Sequence, residues 1–228
     1  MHRALIALVL TLPSIAQAEE RRVMVTSFER VRVEGPFVVE IRTGASQGAV
    51  ARGDARALDG LDIRVEDRTL VVRASPNGWG GWPGDRSEAA TIAVTTPRLT
   101  DLTLTGAGSA RVDTMKGLEV AIALTGSGRI EVARVEADRL DAVIAGSGGL
   151  ALAGAARTAR LTSTGVGSID AERLSVRDLT LQSESAGDTR AAASETARVL
   201  ASGTGSVTVT GNAACMVGGS APVKCGRN

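Results

Sequence analysis

The chain has no tyrosine and only one histidine, His2, and aromatic residues make up 2% of its 228 positions. His2 lies in an N-terminal segment that we expect to be cleaved, so the mature chain would contain no histidine. That absence excludes histidine-activated nucleophiles, histidine acid–base catalysis and the common histidine-rich zinc sites. Carboxylate or serine–lysine chemistry remains open, but neither shows a recognisable motif. We therefore expect no enzyme activity, no cofactor and no metal site.

The N-terminal segment has the pattern of a secretory signal peptide. A short start with Arg3 precedes an apolar run at residues 4–16, and the segment ends on Ala16-Gln17-Ala18. This small-x-small ending is the pattern that signal peptidase cleaves. The apolar run is shorter than the ~20 residues that a spanning helix needs, and no other stretch approaches that length. We predict a signal peptide at residues 1–18 and an exported protein, periplasmic or at the cell surface, with an uncleaved anchor as the alternative.

The balance of charges gives no indication of a nucleic-acid or membrane partner. The formal net charge of the whole chain is +1 at pH 7. Because Arg3 is the only Lys, Arg, Asp or Glu residue of residues 1–18, the mature chain would have a formal charge of zero. A neutral chain has no electrostatic attraction for nucleic acid or for an anionic bilayer. We expect no nucleic-acid partner and no transmembrane segment after cleavage.

Both cysteines lie near the C-terminus, at Cys215 and Cys225. In an oxidising compartment such a pair most simply forms a disulfide that closes a small loop. The spacing between them matches neither a redox motif nor a zinc site. The sequence therefore predicts a disulfide-closed C-terminal tail at residues 213–228, with metal binding or redox activity as alternatives.

The strongest signal in the sequence is an internal repeat of two glycines separated by one residue. From Leu102 onward this element returns at intervals of 18–20 residues. One copy, Ser185-Ala186-Gly187, has serine in place of the first glycine. A fixed period of this kind is typical of repeat architectures that stack one unit on the next. The repeat glycines are Gly106, Gly108, Gly126, Gly128, Gly146, Gly148, Gly165, Gly167, Gly187, Gly203 and Gly205.

Around each glycine pair, apolar and polar residues alternate as in a β-strand with one buried face. The glycines share the parity of the apolar residues. We expect them to mark narrow corners where the strand bends inward and a Cβ atom would not fit. The polar connections at residues 113–117 and 133–139 are expected to turn the other corners. In the second copy the apolar face reads Ile122, Leu124, Gly126, Gly128, Ile130 and Val132.

Stacking the copies places equivalent outward-facing residues in columns about 4.8 Å apart. In one such column Arg111 lies beside Glu131, and Asp170 lies beside Arg190. These opposite charges support the register. The period is half a propeller blade, and the asparagine-centred leucine-rich consensus is absent. We therefore predict an all-β fold, a right-handed parallel β-helix-like solenoid with ~20-residue coils and a strand-rich N-terminal cap.

Residues 19–100 are rich in strand patterns but show no glycine repeat. Residues 30–34 and 37–41 are predicted to be two strands around Gly35-Pro36, and residues 61–65 and 70–72 a hairpin. The open end of a solenoid needs such a cap. We expect a single solenoid domain at residues 19–212, with coils and cap at 19–100 and the glycine repeats at 101–212.

One low-complexity loop, residues 75–88, contains both tryptophans, Trp79 and Trp82. Exposed aromatic rings in a glycine-rich loop are typical of a contact with a carbohydrate or protein partner. Alternatively, both rings fold back to cover an apolar edge of the solenoid. The sequence does not decide between the two, so both residues stand as candidate ligand contacts.

The segments VRVEGPFVVEIRTG, IRVEDRTLVVRAS and TIAVTTPRLTDLTLTGAGSARV, with the glycine coils that follow, resemble the bacterial head GIN or putative auto-transporter adhesin family, a domain of unknown function. The resemblance extends from Phe28 to Gly211. It implies an exported β-helical protein with an adhesive role and carries no catalytic residues or cofactor. We expect a non-catalytic surface or envelope module with an envelope, glycan or protein partner, and homo-oligomerisation stays open.

The alternative to this function is a carbohydrate-binding or polysaccharide-active β-helix protein. A catalyst of that kind would need a carboxylate cluster, and the divergent fifth copy offers Glu184 and Asp188 with Arg190. These three residues share the outward parity of the strand. Divergence at a turn explains them equally well.

Overall fold

The computed structural model describes residues 19–75 and 90–226. Almost all of its regular structure is β-strand, and its one helix, α1, is the short segment Ala55–Asp59. The strands are β1 (Glu19–Val23), β2 (Arg30–Glu34), β3 (Val38–Thr43), β4 (Gly48–Gly53), β5 (Leu61–Glu66), β6 (Thr69–Ala74), β7 (Thr91–Thr96), β8 (Asp101–Gly106), β9 (Ser109–Val112), β10 (Met115–Gly126), β11 (Arg129–Gly146), β12 (Gly149–Gly165), β13 (Ser168–Ser185), β14 (Thr189–Ala192), β15 (Thr196–Ala201), β16 (Val207–Thr210), β17 (Ala214–Gly218) and β18 (Val223–Cys225).

The chain winds into a β-solenoid of about six turns with ~20-residue coils, as the repeat predicts. Neighbouring coils pair in parallel and in register, so that Gly126 pairs with Gly106 on one side and with Gly146 on the other. Inward-facing residues of each coil therefore stack on their equivalents. Ile122, Leu124 and Ile130 are fully buried, as the alternation indicates. The predicted fold class is confirmed.

The strands form three sheets around the core, and the third sheet is built by four of the coils. The first sheet contains β2, β6, β8, β15 and β17 and the C-terminal halves of β10–β13. The second sheet contains β3, β7, β9, β14, β16 and β18 and the N-terminal ends of β11–β13. The third sheet is narrower and pairs residues 115–117, 135–137, 154–156 and 174–176. The glycine corners join the first sheet to the second.

The third sheet corrects the expectation that residues 113–117 and 133–139 only turn corners. Met115 and Val135 are fully buried and pair with each other across neighbouring coils. Each of the four coils contributes about three paired residues to this sheet, which is too few for the alternation of a β-strand to be recognised in the sequence. Gly154 continues the stack with φ +117°, and a Cβ atom there would lie 2.3 Å from the carbonyl oxygen of Val135.

The N-terminal region forms a coil of its own and a cap, as expected, but the coils are not stacked in chain order. Strands β2 and β3 lie between β6 and β7 on one side and β8 and β9 on the other. The end beyond β6 and β7 is covered by antiparallel strands β5, β4 and β1. The predicted hairpin is β5 with β6. Helix α1 follows β4 and is capped by Asp54, whose carboxylate accepts the Ala57 N–H at 2.6 Å.

At the opposite end, the segment expected as a tail adds strands to the solenoid. Strand β17 pairs in parallel with β15, and β18 pairs in parallel with β16. The disulfide Cys215–Cys225 joins these two strands. Cys215 pairs with Ala197 and Cys225 with Val209, and both of these partners are buried. The disulfide therefore lies above the last buried layer of the core.

Candidate functional site

An open groove of about 740 Å³ runs along the third sheet. We call it the third-sheet groove. It runs across consecutive coils, from β10 to the residues just before β15. Its lining includes Arg98, Lys116, Leu118, Ala137, Arg157 and Arg177.

The groove exists because small residues occupy equivalent positions on successive coils. Gly117 pairs with Ala137, and Ala137 pairs with Ala156. Ser175 and Ser194 extend the lining into the next two coils. The next residue of this column, Val176, is buried, so no residue of the column projects a large side chain into the groove. Leu118 belongs to the lining and is 77% exposed.

Cationic side chains outnumber anionic ones along the groove. Lys116 Nζ lies 2.9 Å from Glu136 Oε2, and this hydrogen bond lowers the pKa of Glu136 below its usual value. Arg177 contacts Asp178 and Glu195 at 3.2 and 3.5 Å. Arg157 makes no hydrogen bond or ion-pair contact with any described residue, although its charge helps to lower the pKa of Asp178. Its guanidinium donors are therefore available to a partner.

The predicted corner glycines lie at the junction of the first and second sheets. The first glycine of four copies has a left-handed backbone, with φ +112° at Gly106, +113° at Gly126, +125° at Gly146 and +108° at Gly165. The second glycine is restricted by space instead. A Cβ atom on Gly148 would lie 2.4 Å from the carbonyl oxygen of Gly128 in the preceding coil. Gly108, Gly128, Gly187 and Gly205 are crowded by backbone in the same way, and Gly167 by the Ile144 side chain together with the Gly148 carbonyl. Gly203, the first glycine of the last copy, is crowded by the carbonyl of Ser185.

The serine that replaces a glycine in the fifth copy is accommodated by two hydrogen bonds. Ser185 is buried, and its hydroxyl donates to the carbonyl oxygen of Gly167 and accepts the amide of Gly187, both at 3.0 Å. Ser185 is not among the described residues with positive φ. This corner therefore differs in backbone conformation from the four before it.

A seventh corner belongs to the same series, and the sequence analysis missed it. Gly35 has φ +128° and lies against Gly106 of the next coil. Phe37 takes the place of the second glycine, and its ring covers Gly35 at 2.9 Å from where a Cβ atom would be. The sequence signal for this corner is the pair of alternating apolar residues Val31 and Val33 before Gly35. Leu102 and Leu104 stand at the same positions before Gly106.

The outward columns have the predicted register. Arg111 pairs with Glu131 across neighbouring coils, and their side chains form an ion pair at 3.3 Å. Asp170 pairs with Arg190 in the strand register, without an ion pair between their side chains among the described contacts. Such exposed pairs contribute less than about 1 kcal/mol each to stability. Their value is in confirming that the glycine repeat fixes the stacking.

The structure separates the carboxylates considered for catalysis. Glu184 lies at the end of β13 in the first sheet, whereas Asp188 follows the corner and Arg190 lies on β14 in the second sheet. The carboxylate of Asp188 accepts the hydroxyl of Ser206 at 2.7 Å and its amide at 3.1 Å. Asp188 thus accepts hydrogen bonds from the next coil at the corner. Trp79 and Trp82 lie outside the described residues.

We expect the Ser206→Ala substitution to raise the pKa of Asp188 toward its usual value. The Ser206 hydroxyl is the largest cause of the lowered pKa of Asp188, followed by the Ser206 amide. Because the folded pKa lies below the unfolded one, the stabilising contribution is present above about pH 4 and is lost as the pH falls through the folded pKa. Carboxyl-carbon NMR titration measures the midpoint. Ser194→Ala is the control, and an unchanged Asp188 midpoint in Ser206→Ala would contradict the assignment.

The comparison with protein families is decisive for this chain. The family described as "Putative auto-transporter adhesin, head GIN domain" matches residues 27–213. The chain belongs to this family. No protein with a curated description matches it. Among the described residues, no helix is long and apolar enough to cross a membrane, and no three His, Cys, Asp or Glu residues are grouped to hold a metal ion.

Solved structures with the same fold include further proteins described as adhesins. A putative adhesin from Bacteroides fragilis superposes with a TM-score of 0.84 at 19% identity, covering 93% of this chain and 97% of that one. A putative adhesin from Parabacteroides merdae has a TM-score of 0.71 at 17% identity, covering 93% and 96%. A putative lipid binding protein from Parabacteroides distasonis has a TM-score of 0.70 at 18% identity, covering 92% and 96%. At these identities the similarity shows only that the three proteins share the fold of this head GIN domain chain.

Proposed function

We propose that this chain is an exported, non-catalytic interaction module of the cell envelope or surface, and that it binds its partner through the third-sheet groove. The groove is the observation that carries the proposal. The family description supports an adhesive role, and the signal-peptide pattern and the disulfide support export. A periplasmic or cell-surface location is part of the proposal and is testable by fractionating cells that express the full chain.

The groove suits an extended partner, either a glycan chain or a protein segment. Its floor is built on paired strands of a solenoid, so the lining residues are held on a rigid frame. A partner lying along it would contact several coils at once, and the contacts of each coil would add to one binding free energy. Leu118 offers an apolar contact, while Arg157 offers charge-assisted hydrogen bonds to acidic or hydroxyl groups.

The test measures binding of the purified mature protein to an array of glycans, envelope components and envelope proteins. We expect the double substitution Leu118→Asp/Arg157→Glu to weaken binding at least about tenfold, since it reverses one charge and places another in the groove. Leu200→Asp/Arg198→Glu is the matched control, because both residues are exposed on the first sheet. Equal affinity for the groove variant and the wild type, or no binding to any component, would contradict the proposal.

The carbohydrate alternative is tested in the same array. A Trp79→Ala/Trp82→Ala variant that loses binding to a glycan while the groove variant keeps it would assign recognition to the tryptophan loop. Incubating each bound polysaccharide with the protein and assaying for new reducing or unsaturated ends tests polysaccharide cleavage. Products formed by the purified protein would contradict the non-catalytic role.

A further inference from the structure

A second concavity, of about 310 Å³, lies on the glycine corner between the first and second sheets. We call it the serine pocket. Its polar side chains come from four successive coils and comprise one arginine and four serines. They are Ser109, Ser127, Arg129, Ser147 and Ser168. The pocket is separate from the third-sheet groove and shares no lining residue with it.

The absence of side chains at the corner glycines makes this pocket. Arg129 pairs with Ser109 on one side and with Gly149 on the other, and Gly149 pairs with Ser168. A Cβ atom on Gly149 would lie 3.2 Å from Nη1 of Arg129. The guanidinium therefore lies over Gly149, which is buried despite its outward parity. Arg129 is in this way held down against the surface of the next coil.

The donors in the serine pocket are unused within the described part of the chain. Neither the Arg129 guanidinium nor any of the four serine hydroxyls makes a hydrogen bond or ion pair with a described residue. The corner amides, by contrast, are satisfied: the Ser127 N–H donates to the Gly106 carbonyl at 3.1 Å, and the Gly149 N–H donates to the Gly128 carbonyl at 3.0 Å. The closest acidic residue along the strand, Glu131, is paired with Arg111.

We propose that the serine pocket binds a tetrahedral oxyanion, a sulfate or phosphate group. One guanidinium supplies positive charge and a fork of N–H donors, and hydroxyls from neighbouring coils can donate from other directions. This arrangement fits a group with several oxygen acceptors. A cation is disfavoured because Arg129 holds the positive charge. The source of the group is either a free anion or an ester on a larger molecule such as a sulfated glycan.

The serine pocket is a binding site beyond the proposed function, and the variants that test it differ from those that test the third-sheet groove. The mature protein is titrated with sodium sulfate and with sodium phosphate at constant ionic strength, and amide NMR shifts are followed at the corner residues. A sulfated oligosaccharide and its desulfated counterpart are titrated in parallel. We expect saturable shifts with at least one inorganic anion or with the sulfated oligosaccharide, and at least tenfold weaker binding of the desulfated one.

Arg129→Gln is expected to weaken this binding at least tenfold, and Ser127→Glu to abolish it by supplying an internal carboxylate to Arg129. Both residues are exposed, so both variants are expected to fold, which circular dichroism checks. Arg198→Gln is the matched control, an exposed arginine outside the pocket. Saturation by inorganic anions alone identifies a free ion as the ligand and sustains the proposal.

No saturable shift with any anion, or equal affinity in Arg129→Gln and the wild type, would overturn it. The groove variant Leu118→Asp/Arg157→Glu is expected to keep the wild-type anion affinity. Loss of partner binding with retention of anion binding in this variant would therefore show that the two sites are separate. Each proposal is judged by its own variants, so failure of one does not decide the other.

Discussion

Alanine in place of Gly146 is expected to lower the free energy of unfolding by about 3–5 kcal/mol, a large effect for one methyl group. Two separate causes act at this corner. The backbone φ of +125° lies where residues with a Cβ atom are strained, and the added Cβ atom would lie 2.4 Å from the carbonyl oxygen of Gly126. The obstacle is backbone of the preceding coil, so relief requires the two coils to separate.

Two further variants divide that effect into its causes. Gly44 has φ +86° with no atom within 4 Å of the added Cβ, so Gly44→Ala should cost only the backbone strain, about 1 kcal/mol. Gly148→Ala meets the Gly128 carbonyl at 2.4 Å without positive φ and should cost the clash alone. Urea unfolding followed by circular dichroism gives the three free energies. A Gly146→Ala value no larger than that of Gly44→Ala would show that the coils are not held in contact.

Removing the disulfide, by Cys215→Ala/Cys225→Ala, is expected to destabilise the last coil by roughly 2–3 kcal/mol. The bond closes a loop with a sequence separation of 10 residues, which restricts the unfolded chain. It also joins β17 to β18 at the edge of both sheets, where each strand pairs with one strand of the described residues. The loss should therefore be local, with the inner coils unchanged.

Hydrogen exchange measures this local effect. Amides of Ala214–Gly218 and Val223–Cys225 should exchange faster in the double variant, while those of β11 and β12 keep their protection. Reduction of the wild-type protein should reproduce the change, and reductant should have no effect on the double variant. Equal protection of β17 and β18 with and without the disulfide would contradict the expectation.

The fold could be predicted from the sequence wherever one coil repeats the pattern of the last. The glycine pairs and their apolar neighbours gave the period, the parity and the pairing of Arg111 with Glu131. The coil of β2 and β3 was not recognised as a repeat because Phe37 stands where later copies have glycine. The stacking order at that end could not be predicted either, because a local pattern does not specify which coil lies on which.

The third-sheet groove could not be predicted from the sequence, because it depends on small side chains that become neighbours only when the coils stack. Gly117, Ala137 and Ala156 are unremarkable small residues until the register aligns them. Arg129 is equally inconspicuous, since its position over Gly149 follows from pairing between coils. The disulfide, in contrast, needed only the number and spacing of the cysteines.

The stacking order of the N-terminal coils also determines when they can be completed as the chain folds. Strands β2 and β3 come first in the chain but are flanked by β6 and β7 on one side and by β8 and β9 on the other. One edge therefore stays open until Thr96 at the end of β7 is available and the other until Val112 at the end of β9, and closing each edge requires a long loop. A chain that crosses a membrane N-terminus first would expose these edges in the receiving compartment. The later glycine coils can each add to a finished surface, so folding is slowest at the end of the protein that emerges first.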